Sequence, residues 1–219
     1  MTDIMTLSAI DTFDYSLAKF AHDLANLAGD FLTTLLRIIT LMGNGGMIFI
    51  ILALLLLLFK KSRQGALIAL IAMAIGFLMT NVILKYAFAR PRPFMDTTSD
   101  YYTWWQAAGA LAQDGFSFPS GHATVAMTFA FPLFLTFKKK LSWLFLLIPL
   151  IMGFTRIYFQ VHFASDVIGG FVVGALCGVG AFYIDRALIK LKFMTAFLEL
   201  PSVVELFKKN HNIEEKNKD

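Results

Sequence analysis

The pattern of hydrophobic and polar positions changes once near the start of the chain and again near its end. Residues 7–38 are apolar at Ile10, Phe13, Leu17, Phe20, Leu24, Leu27, Phe31 and Ile38, with Asp11, Asp14, Lys19, Asp23, Asn26 and Asp30 between them. Apolar residues three or four apart, with a charge in almost every turn, predict an amphipathic helix. It should be broken near Gly29 and should lie in a membrane interface or across other helices rather than span. His22 on this helix is expected to be solvated. From residue 41 the pattern becomes continuously apolar. Leu41–Phe59, Gly65–Leu84, Pro119–Phe137 and Leu141–Thr155 carry no charge, and Ala164–Ile184 carries only Asp166. A helix of about 20 apolar residues crosses the hydrocarbon core, so the runs predict five spans. Pro132 and Pro149 should kink theirs, and Gly170, Gly174 and Gly178 form a small-residue stripe for close helix packing.

After Ile189 an amphipathic pattern returns at Phe193, Phe197, Leu200, Val204 and Phe207, and the charged stretch Lys208–Asp219 is expected to be disordered. The predicted fold is an all-α polytopic transmembrane bundle. Its parts are an interfacial segment (1–40), a transmembrane domain (41–187) and an amphipathic, charged cytoplasmic tail (188–219).

Composition agrees with this class. Of 219 residues, 58% are hydrophobic and 16% charged, a balance that excludes an ordinary soluble domain. The net charge of +4 does not point to nucleic acid, because the basic residues flank apolar runs instead of forming one face. The clusters at 60–63, 138–140 and 186–192 all fall on one side of a five-span arrangement. The positive-inside rule makes that side cytoplasmic. The loop 88–118 and the turn 156–163 then lie outside. No cleavable signal peptide is read at the start of the chain. The single Cys177 lies in an apolar run and is read as filler.

The candidate chemistry gathers on the outward side. Phe118-Pro119-Ser120-Gly121-His122 opens an apolar helix where backbone N–H groups are free, a place suited to an anion. Lys85 ends the second span, and Arg92 follows within Ala89-Arg90-Pro91-Arg92-Pro93, a stiff non-helical stretch. Arg156 ends the fourth span, His162 follows, and Asp166 comes four residues later on the same helix face. Two guanidinium forks and an ammonium can surround a tetrahedral phosphate. Two histidines, one beside a carboxylate, suggest a nucleophile and an acid. Each residue alone has a plain explanation, as a snorkelling anchor or a structural histidine. Their convergence on one face does not.

Lys85-x6-Arg92-Pro93, Pro119-Ser120-Gly121-His122 and Arg156-x5-His162-x3-Asp166 together resemble the three-part signature of the type 2 phosphatidic acid phosphatase (PAP2) superfamily. The resemblance covers residues 85–166. It departs at Thr155, where the family usually has Ser; the hydroxyl is retained. It implies that His162 attacks phosphorus to form a phosphohistidine and that Asp166 orients it. It implies that His122 protonates the leaving oxygen and then activates water. Lys85, Arg92, Ser120, Gly121 and Arg156, with Thr155 a weaker candidate, would bind the phosphoryl oxygens. The family uses no metal or other cofactor, and no carboxylate cluster suited to Mg²⁺ lies near the motifs.

The implied substrate is a lipid phosphate at the outer face of the cell membrane. Undecaprenyl diphosphate is the leading expectation, with phosphatidylglycerophosphate and phosphatidic acid, or a lipid phosphotransferase activity, as alternatives. Tyr101, Tyr102, Trp104 and Trp105 either cap the site or form an interfacial belt. The superfamily also resembles vanadium haloperoxidases, but those are soluble and five spans argue against that chemistry. A non-catalytic anion-binding protein or transporter is the other class; a transporter would carry polar groups through the bilayer.

Overall fold

A computed structural model describes residues 8–137 and 139–205 of the chain. The expected charged tail Lys208–Asp219 lies outside them, as does Lys138. The described residues form helices joined by short loops. We number them α1 Ala9–Met42, α2 Met47–Leu57, α3 Arg63–Phe88, α4 Asp100–Ala107, α5 Gly121–Phe137, α6 Leu147–Tyr158, α7 Ala164–Leu188 and α8 Lys192–Glu199. A 3-10 segment Ser142–Leu146 leads into α6. By length and composition α1, α3 and α7 can each cross a membrane; Asn44–Leu57, Gly121–Phe137 and Ser142–Tyr158 are shorter apolar helices.

Helix α1 begins with a capping box. The Ser8 hydroxyl accepts from Asp11 N–H, and the Asp11 carboxylate accepts from Ser8 N–H. The break expected near Gly29 is present, with φ 65° and ψ −161° at that residue. The buried face of α1 is made of Asp14, Ala18, Ala21, Leu36 and Thr40, while Ile10, Phe13, Phe20, Leu27, Phe31 and Ile38 are exposed. Its side-chain bonds reach the last turns of α6 (Tyr158, Arg156, Thr155) and the first turn of α7 (Ser165). Helix α1 is thereby tied to the end of α6 and to the start of α7.

Two expectations change here. The run Leu41–Phe59 is not one helix. Helix α1 continues to Met42, and the chain then turns through Gly43-Asn44-Gly45-Gly46. Gly45 and Gly46 take φ of 61° and 72°, a conformation that costs glycine little and other residues more. His22 is not freely solvated either. It is half-buried, its ring stacked 5.2 Å from Trp104 and 3.0 Å from the Asn26 amide.

The centre of the bundle is built on α3, α5 and α7, and glycines set how close they come. A Cβ at Gly170 would stand 2.7 Å from the Ser120 carbonyl, and one at Gly174 would stand 2.8 Å from the Thr124 carbonyl. The glycine stripe thus allows α7 to lie against the backbone of α5, at the level where α5 begins its site residues. Gly76 plays the same part between α3 and α5, where a Cβ would meet Thr128 at 2.8 Å. Pro132 lies within α5, whereas Pro149 sits in the first turn of α6, where its missing N–H costs little.

At the far end of the bundle the buried Arg63 donates to the carbonyls of Leu57, Phe197, Leu198 and Leu200, tying α8 to the start of α3. Overpacking a tight contact costs about 1–3 kcal/mol. Gly174→Leu should therefore lower the apparent melting temperature of the detergent-solubilised protein. Gly180→Ala, whose Cβ meets nothing within 4 Å, should leave it unchanged. Equal melting of both variants would contradict the close α5–α7 approach.

Candidate active site

Three chain segments bring the predicted residues to one end of the bundle. Helix α3 widens into a π segment over Leu78–Leu84, which sets Asn81 and then Lys85 toward the cavity below. It ends at Ala89, held left-handed at φ 45°. The paired prolines of Arg90-Pro91-Arg92-Pro93 cannot continue the helix, and the Arg90 carbonyl accepts the Ser117 N–H at 2.8 Å. The second segment enters α5 through Ser117–Gly121, and the Ser120 N–H donates to the Asp166 carbonyl (3.0 Å). The third is the tight turn after α6, whose Gln160 is left-handed at φ 53° and precedes His162 by two residues.

His162 is buried, and its two ring nitrogens face different partners. Nε2 lies 3.2 Å from Arg92 Nη1. A guanidinium only donates, so Nε2 is the bare, lone-pair nitrogen. Nδ1 lies 3.4 Å from the Ser117 hydroxyl and 3.5 Å from Asp166 Oδ2. Ser117 in turn donates to Asp166 Oδ2 at 2.5 Å, and the same oxygen accepts from Phe163 N–H at 2.9 Å. Asp166 Oδ1 accepts from Arg90 Nη1 at 2.6 Å. The expected His162–Asp166 pair is therefore present, with Ser117 wedged beside it and Arg90 behind it.

The cations differ in how their donors are used. Arg92 reaches the carbonyls of Gly115, Val161, Asp114 and Phe116 besides His162, clamping the loop onto the His162 turn. Arg156 is fully buried and bonds Thr40 Oγ1 and Gln113 Oε1, while its Nε has no partner. The buried Ser120 hydroxyl also has none. Lys85 makes no salt bridge or side-chain hydrogen bond among the described residues, and its Nζ lies within 4.0 Å of where a Cβ on Gly121 would stand. Buried polar atoms are normally satisfied, so each of these two groups has hydrogen-bonding capacity left over. Thr155 lies deeper. Its hydroxyl is 2.7 Å from the Met152 carbonyl and 3.1 Å from Thr40 Oγ1, so it supports the residue that holds Arg156.

A cavity of about 670 Å³ opens at this point. Lys85, Arg92, Gln113, Gly121, His122 and His162 line it together with the apolar Ile50, Leu70, Met73, Ala74, Phe77 and Leu78. Ser120, Thr155, Arg156 and Asp166 stand behind that wall. The aromatic residues of α4 do not line it. Trp104 packs on Tyr15 and His22, Trp105 stacks on Phe94, and Tyr101 meets Phe163. His122, half-buried, has Nε2 3.0 Å from Asn44 Oδ1 in the glycine turn.

Several of these partners were not legible as site residues: Thr40, Asn44, Arg90, Gln113 and Ser117. Arg90 stood two residues from an assigned arginine, and Ser117 three residues before an assigned serine. Proximity to the motifs was the only signal for either, and the others had none.

The model of the PAP2 superfamily matches residues 65–190, which hold every motif above. The chain belongs to the PAP2 superfamily. It is 31% identical over 121 residues to the undecaprenyl-diphosphatase of Sulfolobus acidocaldarius, a match covering 55% of each chain. The chain thus spans about half the length of that relative. It is 29% identical over 165 residues to undecaprenyl-diphosphatase BcrC of Bacillus subtilis, covering 75% of this chain and 80% of that one. Among solved structures, the transmembrane PAP2 type phosphatidylglycerolphosphate phosphatase of Bacillus subtilis shares its fold. That match has a TM-score of 0.61 at 24% identity and covers 84% of this chain and 89% of the other. The common architecture is a PAP2 transmembrane bundle.

Burial, more than any charge, pushes the His162 imidazole down from its ordinary value to about 3. The Asp166 hydrogen bond opposes the fall, and the Arg92 and Arg156 guanidiniums add to it. A lowered value keeps the ring neutral and its Nε2 lone pair available at every pH above that range. In ¹⁵N spectra of histidine-labelled protein, His162 should therefore show no protonation between about pH 8 and pH 5. A midpoint near the ordinary 6.5 would contradict this environment.

Proposed function

We propose that this PAP2 protein is a metal-independent lipid phosphatase, hydrolysing undecaprenyl diphosphate to undecaprenyl phosphate through a phosphohistidine. The observation that carries the reading is the cavity itself: cationic and apolar side chains line it together. A phosphate joined to a long hydrocarbon matches both at once, whereas a water-soluble phosphate matches only the first. Both sequence relatives described above are named as undecaprenyl-diphosphatases, which supports the diphosphate.

The terminal phosphoryl group sits among Lys85, Arg92, Arg156 and the donors of Ser120 and Gly121. One phosphoryl oxygen replaces His162 as the partner of Arg92 Nη1, which frees Nε2 to attack. The N–P bond forms as the bond from phosphorus to the bridging oxygen breaks, and His122 gives that oxygen its proton. The Nδ1 proton faces Ser117 and Asp166, so the carboxylate stabilises the charge that develops on the ring. His122, now neutral, takes a proton from water. The resulting attack on phosphorus breaks the N–P bond and releases phosphate. The guanidiniums and the ammonium stabilise the equatorial oxygens in both steps, the role a metal ion fills elsewhere. The basic residues at 60–63, 139–140 and 186–192 lie away from the site, which supports an outward-facing site and a cytoplasmic C-terminus.

Phosphate release should be measured from purified lipid phosphates in detergent micelles containing EDTA. Wild type should turn over undecaprenyl diphosphate faster than phosphatidylglycerophosphate or phosphatidic acid, and His162→Ala should lose turnover. Loss of wild-type activity in EDTA would end the metal-free scheme, and full activity of His162→Ala would remove the nucleophile. Arg156→Lys keeps the charge but not the fork held by Thr40 and Gln113. Losing a charge-assisted hydrogen bond costs about 1.5–3 kcal/mol, so kcat/KM should fall roughly 10- to 100-fold. An unchanged kcat/KM would contradict the assignment of Arg156.

A further inference from the structure

Helix α1 lies outside the matched superfamily region, yet it is tied to the nucleophile by two separate routes. The first runs through charge. Asp14, whose side chain is 2% exposed, accepts from Arg90 Nη2 at 2.9 Å. It also accepts the Ser165 N–H and the Ser165 hydroxyl, each at 2.7 Å. The other arm of Arg90 donates to Asp166 Oδ1 at 2.6 Å and reaches the Ser165 hydroxyl at 2.7 Å, and the guanidinium lies 4.0 Å over the Phe163 ring. The second route runs through backbone. Gln160, left-handed in the turn that carries His162, donates its side-chain amide to the Ala18 carbonyl at 3.0 Å. That bond holds a non-glycine residue in a conformation it rarely adopts.

We propose, on the lipid-phosphatase reading above, that Arg90 and Asp14 are positioning residues for His162. In this arrangement α1 is part of the catalytic apparatus rather than an anchor alone. Arg90 fixes which oxygen of Asp166 faces His162. With Oδ1 occupied by the guanidinium, Oδ2 is the oxygen left for Ser117, Phe163 N–H and the Nδ1 proton. Oδ2 thereby gives the Nδ1 proton a fixed acceptor, while Arg92 on the other side of the ring keeps Nε2 bare. Asp14 acts through Arg90. It holds the second arm of the fork, so the guanidinium cannot swing toward the phosphate-binding cations or out to solvent. Arg90 also offsets the charge of Asp166 locally, which leaves Lys85, Arg92 and Arg156 for the substrate. A structural salt bridge alone would stabilise the end of the bundle but would have no bearing on the state of the imidazole.

The test compares full-length wild type, Asp14→Asn, Arg90→Gln, Arg90→Lys and the Asp14→Asn/Arg90→Gln double variant, with two readouts. The first is the ¹⁵N signature of His162, which needs no substrate. Wild type should show a single tautomer with Nδ1 protonated, and Arg90→Gln and Asp14→Asn should show mixtures. The second is kinetics on undecaprenyl diphosphate. Arg90→Gln should lower kcat about 10-fold with KM within about twofold, as expected for a lost charge-assisted bond behind the nucleophile. Asp14→Asn should lower kcat by a smaller factor, and the double variant should be no worse than Arg90→Gln. Arg90→Lys, which keeps the charge but cannot bridge both carboxylates, should resemble Arg90→Gln in kcat. A wild-type tautomer in both single variants, or losses that multiply in the double variant, would overturn the proposal. Should Arg90→Gln not fold, the isosteric Asp14→Asn decides it by the same tautomer criterion. If wild type releases no phosphate from any lipid, the lipid-phosphatase reading fails, and the tautomer readout alone decides this proposal.

Discussion

The structure depends on burying charge at one end of an apolar bundle without leaving it uncompensated. Asp14, Arg92, Arg156 and Asp166 are each no more than 2% exposed. Removing an ion from water costs several kcal/mol unless partners replace the hydration. The two carboxylates share one arginine, Arg90, in the order Asp14–Arg90–Asp166. The other cations are treated differently. Among the described residues no carboxylate pairs with Lys85, Arg92 or Arg156. Arg92 is held by carbonyls, and Arg156 by Thr40 and Gln113. Neutral acceptors fix the guanidiniums in place without cancelling their charge, so the site keeps a net positive field for an anion.

The helical scaffold makes that arrangement possible by setting backbones close together. Gly170 and Gly174 allow α7 to approach α5, and the approach brings the Ser120 N–H to the Asp166 carbonyl. The start of α5 and the start of α7 are thereby locked to each other, with His122 on one and Asp166 on the other. The cavity is also lined by apolar side chains of α2, α3 and α5. Polar chemistry and hydrocarbon are thus served by the same opening.

The sequence made the fold class legible, and it named most of the residues that the fold gathers at this end of the bundle, for different reasons. Uninterrupted apolar runs announce helices because the bilayer forbids unpaired backbone, and the motif spacing carried Lys85, Arg92, His122, Arg156, His162 and Asp166. Hydropathy could not see that the glycines after Met42 divide the run Leu41–Phe59, because glycine adds no charge to the pattern. It could not find Asp14 either. Asp14 is one of several acidic residues on α1, and only the folded chain shows that it is buried while Asp11 and Asp23 are exposed. Arg90 was in view but read as part of a stiff linker, since its partners lie 76 residues away on either side. The hydroxyl of Thr155 bonds Thr40, a contact 115 residues apart that no local pattern reports.

If Nε2 of His162 attacks phosphorus, the phosphorylated protein can be trapped. The substrate is undecaprenyl diphosphate labelled with ³²P in the terminal phosphate, and the reaction is quenched in alkaline detergent and mapped by peptide. Acid-labile, alkali-stable label should appear on residue 162, with more of it in His122→Ala and none in His162→Ala. Label on any other residue, or steady turnover of wild type and His122→Ala with no protein-bound label at any time, would contradict attack by His162.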